Sequence, residues 1–321
     1  MPNDTYFGAE CELRLGVMAD AATDPSVWHT LEFMSATFSP QRERRPRSKL
    51  GSARNNPLDP TKPIPGFERL AADIVLDADS RQLPRWLRCL LAAPTTSGPS
   101  AGLYTHVWAS GGKTPVYAAI QIRTASGEVR VYRGLTLSAI SQQSQGEQTQ
   151  DYDIQLQLRG LSRARVSDWL SGTVNAVPSS APISRAVFRV DGAAATNTLE
   201  ASWTWDRQLA EDAFLSTTPK LSGLRPNGGQ QSGRARFRAV AQAFDVIEEA
   251  DTVFAADIQM LGVVTSHEIR LEHPKAQLSA APLAVPGPDI LERTFDWFAF
   301  QDASNPAAKL TVVNDVASYA S

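Results

Sequence analysis

The chain has 321 residues, 42% of them hydrophobic and 20% charged, with a formal net charge of −3. This composition excludes a disordered tail, a collagen-like fibre and a long coiled coil, and the charge excludes a whole-chain polycation built to grip nucleic acid. Its length exceeds the roughly 250–300 residues at which single cores stop growing, which predicts two domains.

The opening MPNDTYFGAE lacks the basic and apolar regions of a secretory signal, and Asn3-Asp4-Thr5 is therefore a sequon without a secretory route. No apolar run reaches the roughly 18 residues of a membrane span. Cys11 and Cys89 alone give neither a disulfide framework nor a thiolate metal cage, pointing to a soluble protein made in a reducing compartment. A first strand is expected over 31–38, then a long Pro/Gly-rich loop over 40–66, then a strand over 70–76. Leu83, Trp86, Leu87, Leu90 and Leu91 recur at helical spacing, with Pro84 suited to a first turn. Strands follow at 118–123, 129–133, 135–140 and 153–159. In the last, Ile154, Leu156 and Leu158 alternate strictly with polar residues, which fits a sheet with one buried and one wetted face.

The order then repeats. Strands are expected at 186–190 and 199–205, a second long loop at 219–233, and a strand at 235–240. A second helix is read from Ile247, Ala250, Val253, Phe254, Ile258 and Leu261, and further strands from 267–273, 276–283 and 293–301. Order and pattern, rather than residue identity, carry this repeat. The expected organisation is a first mostly-β domain over 1–172, a linker over 173–182 and a second such domain over 183–321.

Several motifs fail on context. Gly112-Lys113-Thr114 has Val107 where a P-loop needs its first glycine, and a strand where it needs a helix. Gly98-Pro99-Ser100-Ala101-Gly102 fits a nucleophile elbow in spelling, but the helix precedes it and the strand follows, so a flexible connection is expected. His267-Glu268 is followed by His273 rather than a histidine at 271; on a strand the two histidines are about 20 Å apart, too far for one metal ion. His29 and His106 have no clustered partners, and Asp151 and Asp153 read as solvated strand carboxylates. No catalytic site, metal site or cofactor is expected.

Charge is more informative. Arg42, Arg44, Arg45, Arg47, Lys49 and Arg54 face one acid in the first long loop, while Lys220 and Arg225 lie in the second. Residues 239–269 hold no Lys or Arg but carry Asp245, Glu248, Glu249, Asp251, Asp257 and Glu268. Basic loops and an acidic helix make a head-to-tail contact between copies possible, and such a contact propagates into rings and filaments. The bland alternative is that both are solvated surfaces.

The succession Gly8-Ala9-Glu10, the strand at 31–38, the basic loop before Gly66-Phe67, the strand and helix of 70–91, and Tyr104-Thr105-His106-Val107-Trp108 resembles the tail tube (major tail) proteins of long-tailed bacteriophages. Tyr132-Arg133-Gly134-Leu135, Leu156-Gln157-Leu158-Arg159-Gly160 and the ending Leu310-Thr311-Val312-Val313-Asn314-Asp315-Val316 extend the resemblance over nearly the whole chain. It implies β-sandwich or barrel domains, each with a flanking helix, joined edge to edge into rings that stack into a tube for DNA. It implies a virion protein made in the host cytoplasm, whose partners are itself and the tail tip, terminator and tape-measure proteins. Long loops join one ring to the next, a role assigned to Arg42, Arg44, Arg45, Arg47, Lys49, Arg54, Lys220 and Arg225, with Asp245, Glu248, Glu249, Asp251 and Asp257 as the complementary face. Since rings of this family have six-fold character, two domains per chain predict a pseudo-hexameric trimer, a hexamer being the alternative. The channel face should be acidic or neutral, because each cation paired with a phosphate adds affinity. Competing readings are a tail terminator, neck part or contractile-tail inner tube, a carbohydrate-binding module using Trp203, Trp205, Phe295, Trp297, Phe298 and Phe300, and a hydrolase at Ser100.

Overall fold

The structure, a computed structural model, describes residues 11–47, 61–145, 152–213, 221–238, 242–279 and 292–319. In chain order the first half comprises β1 (Glu12–Val17), β2 (Val27–Thr30), β3 (Ser35–Arg47), β4 (Thr61–Asp77), α1 (Leu83–Leu90), β5 (Thr95–Ser100), β6 (Leu103–Ala109), β7 (Ala118–Arg123), β8 (Val129–Gln145), β9 (Asp153–Gly160), β10 (Ser162–Val166) and β11 (Thr173–Asn175). The second comprises β12 (Ile183–Val190), β13 (Ala193–Ala194), β14 (Thr198–Asp206), β15 (Leu209–Asp212), β16 (Gly223–Pro226), β17 (Gln231–Arg238), α2 (Gln242–Glu249), β18 (Phe254–Gly262), β19 (Glu268–Leu278), β20 (Glu292–Ala299) and β21 (Lys309–Asn314). The protein is mainly β, as the alternation of its sequence predicts.

Two pairing orders recur. In the first half, β3–β4–β9–β8 form one antiparallel layer, and β1–β7–β8–β10 the other. In the second half, β14–β17–β20–β19 and β12–β18–β19–β21 pair in the same order and sense. The detail repeats as well: a one-residue register shift separates Ala118↔Leu135 from Ile120↔Tyr132, and another separates Phe254↔Ala276 from Ala256↔His273. The core-facing row Phe38–Ala72–Leu158–Leu137 has its counterpart in Trp203–Gly233–Trp297–Leu278. Phe38 stacks on Tyr132 at 4.1 Å between centroids, and at the matching positions Trp203 stacks on His273 at 5.5 Å.

The halves meet along two strand ladders. β14 lies antiparallel on β8, from Glu200↔Gln145 to Asp206↔Ala139, so the inner layers merge into a single eight-stranded sheet, β3–β4–β9–β8–β14–β17–β20–β19. A hairpin particular to the first half, β5–β6, lays β6 along β21. Residues 173–182 supply β11, which pairs in parallel with β2, and continue past Asp79. Asp79 accepts bonds from the backbone N–H of Arg81 (2.7 Å), Gln82 (2.9 Å) and Ala181 (2.6 Å), fixing the turn that leads into α1 while tying down residues 180–182. Leu83, Trp86, Leu87 and Leu90 of α1 are buried, as their spacing predicts.

Several local expectations are corrected. Residues 40–47 and 61–66 are not loop but strand: β3 and β4 pair out to Arg47↔Thr61, with bulges flanking Arg44 and Arg45. Proline is tolerated here because β3, among the described residues, has a neighbour on one side only. Since β9 accompanies β4 only from Leu70 to Asp77, the outer part of this hairpin is a two-stranded ribbon projecting beyond the sheet. The second helix ends at Glu249; Val253 lies in a turn, and Phe254, Ile258 and Leu261 belong to β18. The strands expected at 129–133 and 135–140 are one strand, β8, kinked at Gly134, whose φ of 65° favours glycine. The strand expected at 276–283 begins as the end of β19, and residues 280–291 lie outside the described ones. The second long loop contains β16 and the start of β17.

Candidate functional site

Period-two alternation turns the apolar half of each strand in the eight-stranded sheet into the core and leaves one broad face polar. β9 presents Gln155, Gln157 and Arg159, all exposed, on this face, opposite buried Ile154, Leu156 and Leu158. β4 adds Asp73 and Asp77, β14 adds Glu200, Ser202, Thr204 and Asp206, and β20 adds Thr294, Asp296 and Phe298. β17 contributes Arg234, Arg236 and Arg238, and carboxylates on neighbouring strands meet them. Arg234 Nε donates to Asp296 (2.6 Å), Arg236 Nη1 donates to Glu292 (3.0 Å), and Glu200 lies 3.4 Å from Arg236. The face thus combines uncharged amides and hydroxyls and the exposed Arg159 with β17 arginines matched by carboxylates.

The predicted contact residues separate into three groups. Arg42 is exposed on the projecting ribbon, along whose strand β3 the positions of Arg44, Arg45 and Arg47 follow, beyond the stretch that β9 accompanies. Lys49, Arg54 and Lys220 lie outside the described residues. Arg225 is on β16, where its guanidinium donates to Asp212 (2.6 Å) across the two-stranded β15–β16 sheet. Among the acids, Asp245, Glu248 and Glu249 are on α2, and Asp251 is in the turn after it. Glu248 is 3.1 Å from Arg293. Asp257 is corrected: it is not on the helix but on β18, opposite Arg189 at 3.2 Å, where burial raises its carboxyl above the ordinary value.

The rejected motifs have structural roles. Gly112 and Lys113 sit in the turn between β6 and β7, and Ser100 ends β5 in a tight hairpin instead of the flexible connection expected. Asp151 is outside the described residues, while Asp153 is on β9. Of the aromatic cluster that the carbohydrate reading would use, Trp203, Trp205, Phe295 and Trp297 are buried in the core, while Phe298 and Phe300 lie 6.4 Å apart between ring centroids. Residue pairs such as Arg234 with Asp296, 62 positions apart, carry no local sequence signal; alternation alone marks their common face.

Each histidine has its own structural partner. Ser80 Oγ is 2.8 Å from His267 Nδ1, His106 lies between Thr96 and the Val316 carbonyl, and His29 contacts Arg85. Fully buried His273 accepts a 3.0 Å bond at Nδ1 from Trp297 Nε1. Burial pushes His273 down to about 3; burial, together with Arg85 and Arg88, pushes His29 down to about 4. The unfolded chain therefore binds more protons below pH 6.5, and stability falls with pH across that window. From pH 6.5 to 5, His273 alone accounts for about 2 kcal/mol. Denaturant midpoints should drop across this range, and His273→Gln, which retains an acceptor for Trp297, should flatten the slope; an unchanged slope contradicts the assignment.

A family model described as "Phage tail tube protein" matches residues 8–299. No curated protein matches the chain.

Proposed function

Because the chain belongs to the phage tail tube protein family, we propose that three copies, each contributing two tandem tube-like units, close into a ring whose polar sheet face lines the channel for DNA. Membership makes it a structural protein of the bacteriophage virion tail. The observation that carries the ring is the seam within the chain. β14 is seated on β8, yet β3, which matches β14, has β4 on one side and no neighbour on the other among the described residues. An unpaired edge invites strand addition, and closure removes it. In the ring, β3 of one copy would take, along the end of β19 of the next and the residues that follow it outside the described ones, the place that β14 takes along β8.

The projecting β3–β4 ribbon fits the ring-to-ring contact. An isolated two-stranded ribbon is marginal in water and gains stability by docking. Its arginines stand clear of the channel, as a tube that must not hold DNA requires. Electron microscopy of concentrated protein tests the reading: hollow filaments of constant width support it, whereas compact monodisperse particles at every concentration contradict it.

Matched charges keep the channel from gripping phosphate. Replacing the carboxylates opposite the β17 arginines (Glu200→Gln, Glu292→Gln, Asp296→Asn) should leave tubes that retain DNA. That retention should weaken steeply between about 50 and 200 mM salt, as counterion release dictates. Equal DNA retention by wild-type and variant tubes would refute the electrostatic account.

A further inference from the structure

The two halves differ most in how the outer layer ends. In the first half the connection from α1 to β7 runs from Leu91 to Tyr117, and its strand β6 pairs with β21 from Lys309↔Ala109 to Asn314↔Tyr104. The corresponding connection in the second half, from α2 to β18, is only residues 250–253. β10, the counterpart of β21, pairs with β8 alone among the described residues. Its outer edge is basic: Arg163 and Arg165 are exposed, and a shallow cavity of about 300 Å³ is lined by both, with Arg130, Tyr132 and Glu128.

We infer that the α2–β18 turn of one copy docks on the β10 edge of the next copy, setting Glu249 and Asp251 against Arg163 and Arg165. The inference rests on the ring reading, in which the relation between copies repeats the relation between halves. The first half's connection covers β21 of the second, so the second half's connection faces β10 of the following copy. This is the same junction at which β3 meets β19. Four residues cannot supply the six-residue ladder that β6 makes, and opposite charge takes its place. Glu249 and Asp251 are exposed, and Val253 beside them is 42% exposed, a surface that docking would cover. Within the chain, Arg163 donates to Glu68 (3.1 Å) and Asp251 accepts from Gln277 (2.6 Å), both at the exposed surface, while Arg165 is held only loosely, 3.4 Å from Glu128 and with its side chain 75% exposed. Such a pairing steers the right edges together and fixes register.

The test is a charge swap in the full chain, scored by ring formation in sedimentation across a salt series. R163E/R165E and E249R/D251N should each lower the fraction assembled at least tenfold at low salt, and combining all four changes should restore assembly. Asparagine is used at 251 because φ there is 48°. Thermal unfolding of each variant monomer should stay close to wild type, since the intrachain pair that is lost, Arg163 with Glu68, is an exposed one of small worth. Wild-type rings with unaffected R163E/R165E, or a fourfold variant no better than either parent, would overturn the contact while leaving the ring reading intact. Failure of the wild type itself to form rings would overturn both.

Discussion

Of the two variants Ala36→Pro and Thr37→Pro, one should abolish ring formation while melting at the wild-type temperature, and the other should lose monomer stability. Consecutive residues of an antiparallel strand direct their N–H groups to opposite sides. β3 has β4 on one side, paired through Ala36↔Ile74 and Thr37↔Asp73. Proline at the residue whose N–H faces β4 removes a ladder bond inside the folded chain, at a cost of about 1–3 kcal/mol. At its neighbour the missing N–H faces outward, where β3 has no strand partner among the described residues and edge strands accept proline. Pro40 shows that β3 already carries one such residue. In a ring, that outward side meets β19 of another copy, and the proline ring both removes a donor and obstructs the approach. Sedimentation and thermal unfolding measured on both variants distinguish the outcomes. If both assemble, or if assembly fails only where the monomer melts early, β3 is not the closing edge.

The second large effect lies in the core row. A Cβ at Gly233 would stand 2.2 Å from Trp297 Cζ2 and 2.8 Å from the Ser202 carbonyl oxygen. The matching pair in the first half is Ala72 with Leu158, so the smaller residue accompanies the larger partner. Gly233→Ala should therefore destabilise the chain by about 3 kcal/mol, through overpacking against a buried indole. Trp297→Leu should cost a similar amount, about 3 kcal/mol, through the cavity left and the lost bond to His273. The double variant recreates the first half's pair, and its cost should fall below the sum of the singles by about 1–2 kcal/mol. Additive losses would mean that the two rows are packed on different principles. Denaturant titration of the three variants supplies the comparison.

These rows also show where sequence reasoning succeeds and where it stops. Ile154, Leu156 and Leu158 alternate so regularly that β9, its buried face and its wetted face could be read directly. The same holds for α1, whose leucines and Trp86 fit only a helical period. Phe254 and Ile258, four apart, fit a helix and a strand equally. Asp251, with φ of 48°, ends the helical path before Phe254, Ala256, Ile258 and Met260 turn inward as a strand. The ribbon of 40–47 and 61–66 read as loop because its prolines oppose a central strand, an argument that does not apply to an edge. The sequence alone did not indicate which polar face belongs to the site. That face depends on the β8–β14 seam, which brings Gln143 beside Ser202 and makes two layers one. Ion pairs such as Arg234 with Asp296 follow from the β17–β20 pairing of distant segments, so Arg234, Arg236 and Arg238, which have no acid near them in sequence, meet their partners only in the fold.

The mass and symmetry of isolated rings test the central claim most directly. The account predicts a particle of three chains, about three times 34.8 kDa, with β3 of each chain hydrogen-bonded to β19 of the next and both halves in the wall. A ring of six chains with the residues beyond 182 hanging outside the wall would contradict it.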